Sequence, residues 1–271
     1  MFKTAAGFGN GLLEGLGTED LDCLSPHLER VELLDQQLLH APEVASHCVY
    51  FPIDCIVSLQ VLLSDGASNE IAMVGHEGAA GIALVMGSDR MAWRASVHSA
   101  GAAWRVGAQW LCQESQRSSQ LQLALLRYSQ TLMMQVAQIA VCNRHHTVGQ
   151  QFCRWLLMML DRLPSNELSL THERIANLLG VRRERVTEVA CGLQRVGLIR
   201  YRRGHIVVLD RHELEAHACE CYRAIQVGRR RSAAAVVAAH LCPGAALQQP
   251  QRKLPSATQV RWGPPLSVYR R

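Results

Sequence analysis

The sequence predicts an α+β chain in three parts: an antiparallel β-roll, a long helix, and a helix-turn-helix with a small wing. Three patterns predict it. Short alternating apolar segments, broken by glycines, fill Glu29 to Val106. Apolar positions then step at intervals of four and three from Leu121. Between Thr171 and Leu209, two amphipathic stretches separated by Gly180 lead into a hairpin pattern.

Along the chain, residues 10–27 (around LLEGLGTEDLDCLSPHL) suggest a short acidic helical region. In the roll, Val57, Leu59 and Val61 alternate, Asp65-Gly66 supplies a hairpin turn, and Ile71 and Met73 alternate on the return strand. Gly75, Gly78, Gly81 and Gly87 punctuate the next stretch. Trp93, Ala95 and Val97 then alternate, and Gly101 precedes a last strand near Trp104–Val106. Helix is expected from about Leu111. Leu121, Leu125, Tyr128, Leu132, Gln135, Ile139, Cys142 and His146 form an a/d seam, which needs a partner helix. The simplest partner is the same helix of a second subunit, with Gln135 fixing register at some cost in stability. Met133, Met134, Val136 and Ala137 make other faces apolar, so a helix buried within one domain is the alternative. A further helix, about Val148 to Leu163, stops at Pro164. The expected domains are 1–110 (roll and short N-terminal helix), 111–147 (dimerisation helix), 148–222 (winged helix-turn-helix) and 223–271 (a disordered basic tail).

The helix-turn-helix is the most specific part. Thr171 caps a helix with Glu173 near its positive end, and Ile175, Leu178 and Leu179 give it one apolar stripe. Gly180 stops it. A second helix begins near Arg182, with Val186, Val189, Ala190 and Leu193 facing inward. Its other face carries Arg182, Arg183, Glu184, Arg185, Thr187 and Glu188. After Gly197, Ile199 and Tyr201 run out, Arg203-Gly204 turns, and Ile206 and Val208 return. From Arg182 to Arg203 there are seven Arg and two Glu, a local net charge of +5. Such groups cannot be buried unpaired, so they face water or phosphate. A solvated face on an ordinary helical hairpin would show the same charge, but the glycine turn and the wing favour a DNA-recognition unit. Residues at the start of a recognition helix reach base edges in the major groove, where Arg pairs with guanine and Glu accepts from cytosine. Arg183, Glu184, Thr187 and Glu188 are the candidate base readers. Thr171, Arg182, Arg185, Arg202, Arg203 and His205 are the candidate phosphate and flank contacts.

Bulk composition agrees. The 271 residues, 48% hydrophobic and 19% charged, suit a globular protein of two modest domains. Nine of the 28 basic residues follow Glu220, leaving 19 against 23 acidic in residues 1–222, a net of −4. The body is mildly acidic and its basic charge gathers at the helix-turn-helix, as in a protein that meets DNA with one face. No signal pattern and no apolar run of membrane-spanning length occurs, so a cytoplasmic location with reduced thiols is expected. P-loop, dinucleotide-glycine, G-x-S-x-G and H-E-x-x-H patterns are all missing, so no catalytic residues are assigned and no enzyme is expected.

The order of roll, long helix, helix-turn-helix and wing resembles the Crp/Fnr family of bacterial transcription regulators. The likeness covers roughly residues 10–222. It is strongest in LSLTHERIANLLGVRRERVTEVACGLQRVGLIRYRRGHIVVLDRHELEAHACECY and clear in VYFPIDCIVSL and MVGHEGAAGIALVMG. The resemblance implies a cyclic-nucleotide-binding-like jelly roll, a homodimer, a two-fold symmetric double-stranded DNA site and RNA polymerase as partner, with no membrane. The family's Arg-Glu pair matches Arg183 and Glu184, whereas Glu188 stands where relatives commonly place an Arg. The cyclic-phosphate cassette departs further: Gly75-His76-Glu77-Gly78 resembles its Gly-Glu part, but its Arg-Ser pair falls on Met91-Ala92. Gly75, Glu77, Gly78, Met91 and Ala92 are thus the candidate effector pocket, one that lacks the charge-assisted contacts a cyclic nucleotide needs. The scattered Cys23, Cys48 and Cys55 argue against the iron–sulfur cluster of redox-sensing members. His217, Cys219 and Cys221 form a short metal-capable tract, and Cys142 with His145 and His146 another. Alternation on a helix points such ligands apart, and Cys142 and His146 fit the seam, so no metal is assigned. The expected function is homodimeric, sequence-specific transcription regulation under an effector or redox signal other than cyclic AMP. The alternative is a constitutive DNA binder with a ligand-free roll.

Overall fold

The computed structural model describes residues 7–42, 44–88 and 90–241, with side chains described to residue 230. Two short helices, α1 (Gly11–Glu14) and α2 (Thr18–Leu24), lead through a 3₁₀ turn into the roll. Asn10 fixes this entry. Its side-chain carbonyl accepts from the Leu12 and Leu13 amides, and its Nδ2 donates to the Pro52 and Gly78 carbonyls at 2.7 and 2.9 Å.

Among the described residues the roll has seven strands: β1 (Glu29–Leu33), β2 (Leu38–His40), β3 (Cys48–Pro52), β4 (Ile56–Leu62), β5 (Ser68–Val74), β6 (Arg94–Ser99) and β7 (Gly101–Gly107). They form two antiparallel sheets, ordered β1-β7-β3 and β2-β6-β4-β5. The Asp65-Gly66 turn joins β4 to β5 as expected, with Gly66 at φ 85° and the Asp65 carboxylate accepting from the Ala67 amide. Phe51, Val57, Leu59, Ala72 and Ala95 fill the space between the sheets.

The helical region differs from expectation in three ways. First, it is not one helix. α3 (Ala108–Arg117) ends where Ser118 turns extended, and Ser118 then caps α4 (Ser119–His145) by accepting from the Leu121 amide at 3.1 Å. Second, the seam Leu121, Leu125, Tyr128, Leu132, Gln135 and Ile139 does not face a second subunit. All six are buried within their own chain, the first four in the roll core and Ile139 in the C-terminal core. The stripe packs on the chain's own roll and, at Ile139, on its C-terminal core. Gln135 spends its amide there, donating to the Met73 carbonyl at 3.1 Å. Third, the chain after Arg223 is helical as far as Leu241 rather than disordered. Its alanine run has high helix propensity, and Ile225 docks in the core. Arg229 lies 3.7 Å from Glu77 and 3.6 Å from Asp161. Residues 242–271 of the expected tail lie outside the described residues.

The rest follows the predicted order: α5 (Val148–Leu160), β8 (Glu167–Ser169), α6 (His172–Leu179), α7 (Arg183–Arg195), β9 (Ile199–Arg202), β10 (His205–Val208), α8 (Arg211–His217) and α9 (Glu220–Leu241). A capping box of Thr147 and Gln150 starts α5. α5 is buried almost all round, so it is the core on which α6, α7 and the wing pack. It also ties them to the roll. The Trp155 indole donates to Glu70 at 3.0 Å, and Arg174 on α6 makes a bidentate pair with Asp35 at 2.7 and 2.8 Å. Burial pushes the Glu70 carboxyl up to about 7, against hydrogen bonds from Ser58 and Trp155 and the charges of Arg154 and Arg162.

Candidate nucleic-acid interface

The helix-turn-helix is set by local chemistry. The Thr171 hydroxyl accepts from the Arg174 amide at 3.2 Å and so caps α6. Gly180, at φ 65°, closes the helix in a conformation that costs a side chain about 1 kcal/mol or more. Ile175, Leu178 and Leu179 face the core, as do Val186, Ala190 and Leu193 of α7. Val189 is only partly buried against that core.

α7 then presents its start to solvent. Arg182 is its N-cap and has no side-chain capping bond; Arg183, Glu184, Arg185 and Glu188 are all exposed. The wing is a β9–β10 hairpin whose two turn residues, Arg203 at φ 48° and Gly204 at φ 83°, take the type I′ form that matches strand twist. β8 pairs with β10 on its other side, giving a three-stranded sheet. Arg202, Arg203 and His205 are exposed at the tip. Cationic side chains are therefore displayed by both the helix start and the wing.

Two candidate base readers are engaged differently from expectation. The Thr187 hydroxyl is half-buried, donates to the Arg183 carbonyl at 3.1 Å, and lies 2.9 Å from His172 Nδ1. It braces the interface more than it points outward. Glu188 pairs with Arg185 at 2.7 Å across one helical turn, so the acid neutralises a neighbouring cation. Sequence reasoning missed His172. Its ring stacks on Tyr201 with centroids 4.1 Å apart, tying α6, α7 and β9 together. Burial, and then the Arg183 charge, lower its pKa and favour the neutral ring.

The candidate effector residues do not come together as an open pocket. A Cβ on Gly78 would lie 2.1 Å from Tyr128 Cε2, and one on Gly75 would lie 2.8 Å from the Arg162 side chain. Glycine is needed at both because α4 and Arg162 occupy the space above them. Glu77 accepts from Arg162 Nε at 2.9 Å and Nη2 at 2.5 Å. Burial works to raise its pKa, but Arg162 and Arg229 hold it down to about 2. Met91 is buried and bridged to Pro42, while Ala92 is exposed. A cavity of about 710 Å³ near Ser46, Leu84, Ser88 and Trp110, and another of about 570 Å³ near Asp35, His98 and Leu168, are lined by other residues.

Of the cysteine and histidine tracts, His217 turns back onto the Glu213 carbonyl. Cys142, His146, Cys219 and Cys221, by contrast, converge where α4 ends and α9 begins. Cys219 lies between α8 and α9, not on a helix, so helical alternation does not separate it from Cys221.

Residues 150–217 match the Crp-like helix-turn-helix domain. Solved structures share the fold. A transcriptional regulator of the Crp/Fnr family from Eubacterium rectale aligns over 78% of this chain and 97% of its own at 20% identity, with a TM-score of 0.62. FixK2 from Bradyrhizobium japonicum aligns over 71% and 98% at 17% identity, with a TM-score of 0.62. The c-di-GMP responsive global regulator CLP of Xanthomonas campestris aligns over 72% and 100% at 17% identity, with a TM-score of 0.58. No curated protein sequence gives a significant match. No helix among the described residues is long and apolar enough to cross a membrane.

Proposed function

We propose that this chain, a Crp/Fnr-type regulator by its fold and its Crp-like helix-turn-helix domain, acts as a homodimer on two-fold symmetric DNA. One observation carries the reading: Arg182, Arg183 and Arg185 at the start of α7, and Arg202, Arg203 and His205 on the wing, are all exposed on elements packed against one core. Arg183 and Glu184 are the base readers, with Glu188 one turn further along. Thr171, Arg182, Arg185, Arg202, Arg203 and His205 hold the sugar-phosphate backbone. By the family resemblance the setting is the cytoplasm and the protein partner is RNA polymerase.

The dimer uses the outer face of α4. Leu126, Met133 and Val141 are 52%, 62% and 50% exposed on a helix whose opposite face is fully packed. Leu126 and Met133 stand one heptad apart, and exposed Ala137 and Ala140 continue the line. A two-fold axis along this stripe sets two recognition helices in successive major grooves, about 34–36 Å apart.

Selection of sites from a random duplex pool at about 150 mM salt tests the proposal. The expected product is a symmetric motif with half-sites about one helical turn apart; recovery of no motif, with or without cell extract, refutes it. Arg183→Ala is expected to cost about 1–3 kcal/mol of specific binding and relax one base position, while Arg203→Ala weakens all sequences and lowers the salt slope by about 1. Equal loss on every sequence with Arg183→Ala removes its base-reading role.

The filled cradle at Gly75–Gly78 favours a second, narrower reading of the roll as a scaffold without a cyclic-nucleotide site. Cyclic AMP and cyclic di-GMP are then expected to leave the melting temperature unchanged, and a rise with either would overturn this.

A further inference from the structure

Cys142 and His146, one turn apart at the end of α4, meet Cys219 and Cys221 across the start of α9, and the four ligand atoms all lie within 4.8 Å of one another. All three cysteines are buried and the His146 side chain is 16% exposed. Cys142 Sγ and Cys219 Sγ are 3.5 Å apart, too far for a disulfide bond of about 2.05 Å. Bonds of about 2.3 Å to sulfur and 2.0–2.1 Å to nitrogen in a tetrahedron put two sulfurs about 3.8 Å apart, and a sulfur and a nitrogen about 3.5 Å apart. The Cys221 Sγ to His146 Nδ1 distance is 3.5 Å.

The surroundings are those of a metal site rather than of a few small apolar side chains. His146 turns Nδ1 to the sulfurs while its Nε2 lies 3.3 Å from Glu220, a carboxylate placed to fix the tautomer. Gln138 Nε2 donates to Cys221 Sγ at 3.0 Å, as to a thiolate. Arg154 is 2% exposed, its Nε lacks a hydrogen-bond partner, and its charge acts on Cys142 as well as on Glu70. A buried, incompletely paired guanidinium calls for an anion. A divalent cation bound by three thiolates and a neutral imidazole carries a net charge of −1, which meets that need.

We propose that Cys142, His146, Cys219 and Cys221 bind one zinc(II) ion in a closed tetrahedral Cys₃His site that staples the end of α4 to the start of α9. Binding displaces three thiol protons and changes no oxidation state. The site stands whether or not the chain binds DNA. Its effect is to hold both ends of the helix-turn-helix domain, since α5 follows one pair of ligands and α8 precedes the other.

The full-length chain, purified reduced, is assayed for zinc content, for zinc affinity against a chromophoric chelator, and for its cobalt(II) absorption. Expected are one zinc per chain, an intense tetrahedral ligand-field spectrum with thiolate charge transfer, and a lower melting temperature after chelation. Cys142→Ser and Cys219→Ser should lose the metal, while Cys23→Ser and Cys191→Ser, at exposed positions, should keep it. Glu220→Gln, at a solvent-facing carboxylate, should fold normally and weaken binding about 10- to 100-fold. Substoichiometric zinc in folded, reduced wild-type protein overturns the proposal, as does an octahedral cobalt spectrum, an iron–sulfur chromophore, or full retention of zinc by Cys219→Ser. If a cysteine variant fails to fold, the wild-type stoichiometry and the Glu220→Gln affinity still decide.

Discussion

α4 has two apolar faces, and they do opposite work. Leu132 is 9% exposed and Met133 is 62% exposed, yet they are neighbours in the chain. The inner face, from Leu121 through Ile139, closes the roll and reaches the C-terminal core. On the outer face Leu126, Met133 and Val141 are half or more exposed, and Met134 lies beside Gly228 of α9. Periodicity finds a stripe but does not say what lies against it. Polar detail does: the inner face carries Tyr128 and Gln135, whose polar atoms meet backbone carbonyls of the roll at 3.0 and 3.1 Å. The outer face carries Met and Ala, which make no such demand.

This contrast can be broken at several points. Leu121→Ala, on the inner face, should lower unfolding free energy by about 2–5 kcal/mol in denaturant titration. A loss under about 1 kcal/mol would mean the inner face is not a core. Glu77→Gln should remove about 3 kcal/mol at neutral pH, following from a carboxyl held down to about 2. The sign is fixed by linkage. Because the folded pKa lies below the unfolded one, the wild-type contribution is complete above about 4.5 and is lost as pH falls toward 2. Glu70 works the other way. With its carboxyl raised to about 7, wild-type stability falls as pH rises from about 4.5 to 7, and Glu70→Gln should flatten that fall. Paired melts across this range separate the two carboxylates. Met133→Asp, on the outer face, should leave the far-ultraviolet spectrum intact and change the chain's own stability by under about 0.5 kcal/mol. It should nevertheless halve the mass seen by light scattering; an unchanged mass would remove the outer face from the dimer.

The helix-turn-helix was legible because its signals are local. The Thr171 cap, the Gly180 stop, the Arg203-Gly204 turn and the run of arginines each act within a few residues. The seam was legible as a period but not as a contact, because its partner strands lie far back in the chain. Thr187 was misjudged for the same reason: its partner His172 is on another helix, 15 residues away. The Glu77–Arg162 pair joins residues 85 apart, and Cys142 meets Cys219 across 77 residues. No spacing rule reaches so far. The stretch after Arg223 failed differently. An alanine run with basic residues has the composition of a tail and the propensity of a helix, and docking of Ile225 and Arg229 decides between them.

One further consequence lies in the wing turn. Arg203 holds a left-handed backbone angle of 48° at a position where asparagine or glycine is the comfortable residue. The strain amounts to about 1–2 kcal/mol against a right-handed residue. Arg203→Asn should therefore raise the melting temperature slightly while weakening attraction to DNA. If so, this molecule trades rigidity for adhesion at its outermost point, and a search for more stable variants would erode its function there first.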